Sequence, residues 1–312
     1  MLMFDANRVL IDAFVSAARQ AYREIYPDLS ADLEAGLERA ARTALLTLRG
    51  CDCPYHDLEH TLLVTDAGIA ILRGRQIARG DVPPSTWLQA VVALLFHDLG
   101  YVRGLLKDDQ EGAYLADETG RRVTPPPGAT DAFMMPYHVA RGRMFVIERF
   151  AGDPVIDGAM VASLIEMTRF PVPEESFYQQ RDSIGALVRA ADLIGQMADP
   201  NYPMKQARLF VEMVETGDAE RLGYQNPAEL RANFPTFFYR HVYPYLPPAL
   251  DYLTRTPEGE QWIANLIRHL HGARHGNTLR IGSDAVLPRS LDELNARTPP
   301  PPAKPQIAVS ND

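Results

Sequence analysis

Cysteine is scarce in this 312-residue sequence, which contains only Cys51 and Cys53. Because a single residue separates them, they are poorly placed to bridge each other, and two cysteines in a chain of this length do not make a disulfide framework. The amino-terminal sequence MLMFDANRVLIDAF lacks a basic stretch and carries an early aspartate, which is not typical of a secretory signal peptide. This composition favours a reducing compartment.

The sequence also lacks an excess of positive charge and a long apolar run. Its 31 Lys and Arg residues against 40 Asp and Glu residues give a net charge of −9, whereas surfaces that coat DNA or RNA need clustered basic residues. No run reaches the roughly 18 apolar residues of a membrane span, and the longest, around 87–96, is interrupted by Gln89. We therefore expect a cytoplasmic protein with neither a membrane-spanning segment nor a nucleic-acid-coating surface.

Strand signals are missing as well, because no clear pair of strands is joined by an Asn-Gly or Asp-Gly turn. Apolar residues recur at helical spacing instead. Residues 58–72 place His60 on an apolar helix face, and residues 86–99 are apolar nearly all round, as is typical of a buried helix that Gly100 would end. Further helices are predicted at 137–150, 155–169, 182–198, 204–216, 227–240 and 258–272.

These patterns predict an all-α protein. We expect an N-terminal helical extension at 1–47, a helical bundle at 48–275 and a disordered tail at 276–312, where prolines cluster. Residues 101–135 carry charges, glycines and three consecutive prolines, and are predicted to form a long irregular segment. Long loops in compact domains are often functional.

The strongest chemical signal is the dipeptide His97-Asp98 at the end of the predicted buried helix. Burying a His and an Asp is costly unless something compensates them. A divalent cation does so by binding the imidazole nitrogen and the carboxylate oxygen. The alternative is a core His that is hydrogen-bonded to the Asp, and the dipeptide alone does not separate the two.

Two other predicted helices carry residues of the same type. His56 and His60 have i, i+4 spacing and can share a helix face. Asp192 lies on the apolar face of helix 182–198 and has no Lys or Arg at i±4. Three helices then each direct a ligand-type side chain inward, and one metal site explains all three.

Three segments in this order, PYHDLEH, ALLFHDLGY and RAADLIGQ, resemble the HD superfamily of metal-dependent phosphohydrolases over about residues 50–200. In that family a His, an adjacent His-Asp pair and a distant Asp hold the metal. The resemblance implies an HD-domain helical bundle and a ligand set of His60, His97, Asp98 and Asp192.

The Tyr-His-x-x-x-His segment at 55–60 is similar to the cyclic-nucleotide phosphodiesterase branch, where the first His donates a proton to the leaving oxygen. The resemblance assigns this role to His56 and places Asp98 in catalysis beside it. The chain departs from that branch, because Asp57 stands where Asn is usual and HDLGY replaces a longer His-Asp-x-Asp-His segment. It also lacks the GYP tripeptide of the cyclic-dinucleotide branch. The resemblance therefore implies a phosphohydrolase without specifying a cyclic substrate.

His138 is the candidate ligand for a second metal, because in two-metal HD proteins an additional His from this region joins the second ion. The alternative is a His that bonds to backbone at a helix start. Arg141 and Arg143 follow it and are candidates to clamp phosphate oxygens, as is Lys107. The alternative for these cations is a solvated basic surface.

Mixed His and carboxylate ligands suit Mn, Fe, Co, Ni, Mg or Zn, with one or two ions per chain. We predict a phosphomonoesterase or phosphodiesterase that uses a metal-activated water on a small, phosphorylated, nucleotide-like substrate. Two alternative functions stay open: a catalytically inactive metal-binding HD domain that acts as a sensor or scaffold, and a di-iron oxygenase. A local structural zinc site is also open, formed by Cys51, Cys53, His56 and His60.

Overall fold

The computed structural model describes residues 5–28 and 30–274. In this part of the chain there are twelve α-helices and one small sheet, which confirms the all-α prediction. The predicted tail at 276–312 lies outside the described residues. The helices are α1 Ala6–Ile25, α2 Ala31–Leu48, α3 Leu58–Arg79, α4 Pro84–Phe96, α5 His138–Arg149, α6 Gly158–Glu166, α7 Ile184–Met197, α8 Tyr202–Glu215, α9 Asp218–Leu222, α10 Pro227–Phe237, α11 Pro247–Leu253 and α12 Pro257–Arg274.

The segment between α4 and α5 contains the sheet, which was not predicted. Strand β1 Tyr114–Leu115 pairs antiparallel with β2 Arg122–Val123. Strands of two residues are too short to show an alternating pattern in the sequence. Two short helices, α9 and α11, were also missed for lack of a periodic repeat.

Helix α4 lies at the centre of the fold, and every residue from Trp87 to Phe96 is buried. One continuous apolar core extends from Ile11 in α1 to Leu270 in α12. Helices α3 and α7 form the most extensive helix pair in the molecule. None of the described helices combines the length and the apolarity needed to cross a bilayer.

Two glycines bring chain segments into contact at the centre of the fold. A Cβ on Gly195 of α7 would lie 2.5 Å from the Cα of Val64 in α3, so α7 can approach α3 only with glycine here. A Cβ on Gly100 would lie 1.8 Å from the carbonyl oxygen of His138. The predicted helix-stop role of Gly100 was wrong, since α4 already ends at Phe96; Gly100 instead lets the start of α5 pass against the turn after α4.

Candidate metal centre

The His97-Asp98 dipeptide lies where α4 ends and a short 3₁₀ turn at Leu99–Tyr101 begins. Both side chains are buried. His97 Nδ1 lies 2.7 Å from the carbonyl oxygen of Leu94 and donates to it, which leaves Nε2 as the nitrogen with a free lone pair. Nε2 points at the adjacent carboxylate, 3.1 Å from Asp98 Oδ2.

Helices α3 and α7 bring His60 and Asp192 to the same point. His60 Nε2 lies 3.2 Å from Asp98 Oδ2 and 3.8 Å from Asp192 Oδ1. His97 Nε2 lies 3.6 Å from the same oxygen of Asp192. The Asp192 side chain is 18% exposed, so this carboxylate lies on the solvent side of the cluster.

The backbone at the start of α3 holds His60 in place. Asp57 is the N-cap residue, and its Oδ1 accepts a hydrogen bond from the backbone nitrogen of His60 at 3.0 Å. A capping carboxylate satisfies an otherwise unpaired helix N–H group. Asp57 therefore has a structural role as the N-cap of α3.

His97 Nε2 and Asp98 Oδ2 lie 3.1 Å apart but lack the geometry of a hydrogen bond. Both atoms are buried, and neither has another hydrogen-bond partner among the described residues. Buried polar atoms in folded proteins are nearly always paired with protein, water or an ion. The donor set of imidazole nitrogens and carboxylate oxygens is one that divalent cations accept. The buried group of His60, His97, Asp98 and Asp192 could therefore hold a metal ion.

The charges in the cluster are strongly coupled. Burial disfavours the charged form of His97, but the carboxylates of Asp98 and Asp192 outweigh burial and raise the pKa of His97 above its usual value. Burial likewise opposes ionisation of Asp98, yet the neighbouring imidazoles, His97 first, lower its pKa. The cluster thus attracts a positive charge, which a proton or a metal ion can supply.

His138 faces the second oxygen of the Asp98 carboxylate. As the first residue of α5, it donates from Nδ1 to the carbonyl oxygen of Met135 at 2.6 Å. Its Nε2 lies 3.9 Å from Asp98 Oδ1, whereas His60 and His97 lie near Oδ2. Burial lowers the pKa of His138, which favours the neutral imidazole that a metal requires. His138 thus both bonds to backbone and reaches Asp98.

His56 lies beside the cluster and has a buried carboxylate partner, Glu212 of α8. His56 Nδ1 and Glu212 Oε2 are 2.5 Å apart. The other oxygen, Oε1, accepts hydrogen bonds from the backbone nitrogens of Tyr55 at 2.6 Å and of His56 at 3.1 Å. Burial opposes protonation of His56, but the carboxylate of Glu212, helped by those of Asp98 and Asp192, raises its pKa to about 9.

Glu212 was missed by the sequence reasoning. It lies in a predicted helix, but Arg208 stands four residues before it, as in an ordinary surface ion pair. In the structure Arg208 is exposed and lies near Asp57 instead. Glu212 itself is buried, 156 residues from His56 along the chain.

Tyr101 was also missed, although it directly follows HDLG. Its ring stacks on His56, with centroids 4.8 Å apart, and on His138, with centroids 4.5 Å apart. The interplanar angle is 16° in both contacts. Tyr101 therefore sets the spacing between these two imidazoles.

Arg141 is not available to a substrate, so its predicted phosphate-clamp role was wrong. The side chain is 0% exposed, and all three guanidinium nitrogens donate to protein oxygens. The acceptors are the Asp109 carboxylate and the carbonyl oxygens of Gly100, Val102 and Leu115. An unpaired buried guanidinium would be costly, and these hydrogen bonds pair it fully. They also hold the segment after α4 against α5.

The other two predicted phosphate ligands are not joined to the cluster by any contact within 5–28 and 30–274. Arg143 is paired with Glu118 at 2.9 Å and with Glu166 at 3.2 Å. Lys107 is exposed in the loop after α4. Both remain solvent-side cations whose contact with a substrate is a prediction.

The cysteines do not form the alternative zinc site in the described structure. Among the described residues, the groups of side chains close enough to bind one ion are His56, His60 and Asp98, and His60, His97 and Asp192. Neither group contains Cys51 or Cys53.

Comparison with known proteins identifies a family. The sequence model of the Npun_R2479-like family matches residues 4–276, and the chain belongs to this family. No curated protein matches the chain. No solved structure matches it either.

Proposed function

We propose that this member of the Npun_R2479-like family is a metal-dependent phosphohydrolase that cleaves a phosphoester of a small, nucleotide-like substrate. The observation that carries the proposal is the pairing of two features at one place. A buried His/Asp cluster has unpaired ligand atoms at His97 Nε2 and Asp98 Oδ2, and a histidine protonated through Glu212 stands at its edge. The resemblance to the HD superfamily supports the same reading and stays a prediction.

His60, His97, Asp98 and Asp192 would hold the metal. A divalent cation bound there would lower the pKa of a coordinated water and polarise a phosphoryl oxygen. The two histidines are already positioned by the fold: His97 by its bond to Leu94, His60 by the Asp57 cap. Mn, Fe, Co, Ni, Mg and Zn all accept this mixed ligand set.

His56 supplies the acid. Its Nδ1 is engaged by Glu212, so its Nε2 is the nitrogen that carries a proton toward a substrate. Donation from Nε2 to the leaving oxygen neutralises the alkoxide as the P–O bond breaks. Glu212 then stabilises the imidazolium when it is reprotonated. A sensor or scaffold needs no such acid, which favours the enzyme over the inactive metal-binding alternative.

A second ion has its own candidate ligands in Asp98 Oδ1 and His138 Nε2. His60 and His97 lie near Asp98 Oδ2, whereas His138 lies near Oδ1, so Asp98 and His138 would hold the second ion. A pair of ions would stabilise both the attacking and the leaving oxygen of the phosphoester. We infer a site that accepts two ions, with the second held more weakly because fewer side chains reach it.

The test combines metal analysis with a substrate panel. Purified wild-type protein is analysed for bound elements and assayed with phosphomonoesters and phosphodiesters, including cyclic nucleotides. Asp98→Ala is expected to lose both metal and hydrolysis while keeping the helical circular dichroism spectrum. Asp108→Ala, which removes an exposed carboxylate of the neighbouring loop, is the matched control and is expected to retain both.

Two outcomes would contradict the proposal. Full hydrolysis by metal-replete Asp98→Ala would remove Asp98 from the site. Stoichiometric metal in the wild type without hydrolysis of any phosphoester in the panel would favour the metal-binding scaffold, and iron with oxygen uptake would favour the oxygenase.

A further inference from the structure

Cys51 and Cys53 form a thiol pair in the segment between α2 and α3. Both are free cysteines. Cys51 is partly exposed, whereas Cys53 is buried. Cys51 packs against the small buried cluster that contains Cys53, and the interaction with Cys51, followed by burial, raises the pKa of the Cys53 thiol. One cysteine of the pair is thus partly exposed and the other is buried beside it.

The pair is connected to His56 by two routes. The Cys51 thiol donates to the backbone carbonyl oxygen of His56, with 3.5 Å between sulfur and oxygen. Cys53 packs in a small buried cluster with Tyr101, and the Tyr101 ring stacks on His56. A change in bonding at either sulfur therefore acts on the histidine that the proposed reaction uses as its acid.

Asp52, the residue between the two cysteines, is held in a specific conformation. Its backbone nitrogen donates to Asp131 Oδ2 at 3.2 Å, and its own Oδ1 accepts from the backbone nitrogen of Asp131 at 2.5 Å. Arg103 Nη2 donates to Asp52 Oδ2 at 2.9 Å. A disulfide across one intervening residue closes a small ring through the backbone of Asp52, the same backbone that these bonds hold.

Because the disulfide ring and these hydrogen bonds constrain the same backbone, a disulfide here is unsuited to permanent stabilisation of the fold. It is suited to reversible formation. Disulfides that depart from relaxed geometry store strain and are more easily reduced. Strained or exposed disulfides are accordingly the labile and regulatory ones. The one-residue spacing, which argues against a disulfide framework, favours a switch.

We propose that Cys51 and Cys53 form a reversible disulfide that displaces His56 and stops hydrolysis while the metal ligands stay in place. The effect on hydrolysis rests on the proposed function, whereas the disulfide and the displacement of His56 do not. None of the predicted metal ligands lies in the 51–53 segment, so the bridge changes the acid and not the ligand set.

The chemistry balances with a low-molecular-weight disulfide, such as glutathione disulfide, as the oxidant. The Cys51 thiol loses its proton to solvent and attacks one sulfur of the oxidant, which releases one thiolate and forms a mixed disulfide. The Cys53 thiol then loses its proton, attacks Cys51 Sγ and releases the second thiolate. Two S–H bonds are lost, one S–S bond is formed, and the oxidant is reduced to two thiols.

The experiment equilibrates the metal-loaded full chain in glutathione buffers of increasing oxidised fraction. Intact mass measures the disulfide as the loss of two hydrogen atoms per chain. Elemental analysis follows the metal, and histidine ring NMR signals of the metal-free chain, assigned with His56→Gln, follow the His56 environment. Cys51→Ser keeps a hydroxyl donor for the His56 carbonyl and is the matched control.

The expected result is a bridged wild type with a shifted His56 signal, unchanged metal content and hydrolysis reduced at least about a hundredfold, the low end of the range for loss of a positioned acid. Thiol reductant removes the bridge and restores both the His56 signal and hydrolysis. Cys51→Ser does not respond to the oxidised buffers. A persistent glutathione adduct, the absence of a bridge, or a bridge with an unmoved His56 signal would overturn the proposal. The mass and NMR results do not need activity, so failure of the proposed function is seen separately, as no hydrolysis in the reduced protein.

Discussion

At the scale of single residues, the pair His56–Glu212 shows how one carboxylate does two tasks. Oε1 binds the backbone nitrogens of Tyr55 and His56, which fixes the chain before α3. Oε2 binds the His56 ring and keeps it protonated. The position and the charge of His56, the proposed acid, thus depend on the same side chain.

We expect Glu212→Gln to move the alkaline limb of the kcat profile to lower pH. His56 must be protonated to act as an acid, so activity falls as the pH rises through its pKa. Glu212 raises that pKa toward about 9, and removing the carboxylate charge lowers it. Steady-state kinetics across pH measure the shift.

Glu215→Gln is the matched control, since it makes the same change on the same helix at a carboxylate that contacts Thr130. It is expected to leave the alkaline limb in place. An unshifted limb in Glu212→Gln would mean that another group supplies the proton.

For His138 the prediction concerns metal stoichiometry. Isothermal titration of the metal-free wild type is expected to show two ions per chain, the second weaker, because His138 Nε2 and Asp98 Oδ1 face each other at 3.9 Å. His138→Ala is expected to bind one. One ion in both proteins would leave a mononuclear centre.

At the scale of elements, the centre depends on how closely α7 packs on α3. Asp192 of α7 and His60 of α3 approach to 3.8 Å, and Gly195 lies one turn after Asp192. Its missing Cβ allows the contact with the Val64 backbone. The helix–helix distance, and with it the ligand distance, is set by the absence of one methyl group.

Gly195→Ala is therefore expected to lower the free energy of unfolding by about 1–3 kcal/mol, the usual range for overpacking, and to weaken metal binding. Gly272→Ala on α12 is the control, because its Cβ would meet no atom within 4 Å. Denaturant unfolding and metal titration measure both effects. Equal losses of metal affinity in the two variants would show that metal binding does not depend on the distance between α3 and α7.

At the scale of the whole molecule, the candidate metal centre joins segments that are far apart in sequence. Its candidate ligands come from α3, the end of α4 and α7, and these elements share the central core. An ion that binds the folded chain and not the unfolded chain adds to stability by mass action. The cluster leaves a carboxylate oxygen and an imidazole nitrogen unpaired without it.

Removal of metal with a chelator is accordingly expected to lower the Tm of the wild type. An ion present at a hundred times its Kd contributes about 2.7 kcal/mol. Asp98→Ala is expected to melt at the same temperature with and without chelator. If neither chelator nor added metal changes the Tm of the wild type, the cluster does not bind a metal ion.

The amino-acid sequence by itself determined the all-α class, the positions of the long helices and the residues of the central cluster. Those features depend on local patterns: apolar periodicity in 86–99, and a His and an Asp joined by one peptide bond at its end. Only the tertiary structure decided which distant side chains join them. Glu212 pairs with His56 across 156 residues. Arg141, which the sequence suggests as a phosphate ligand, instead donates to carbonyl oxygens and Asp109. Burial and long-range pairing depend on how the helices pack, and the periodicity of one helix does not specify which helices lie beside it.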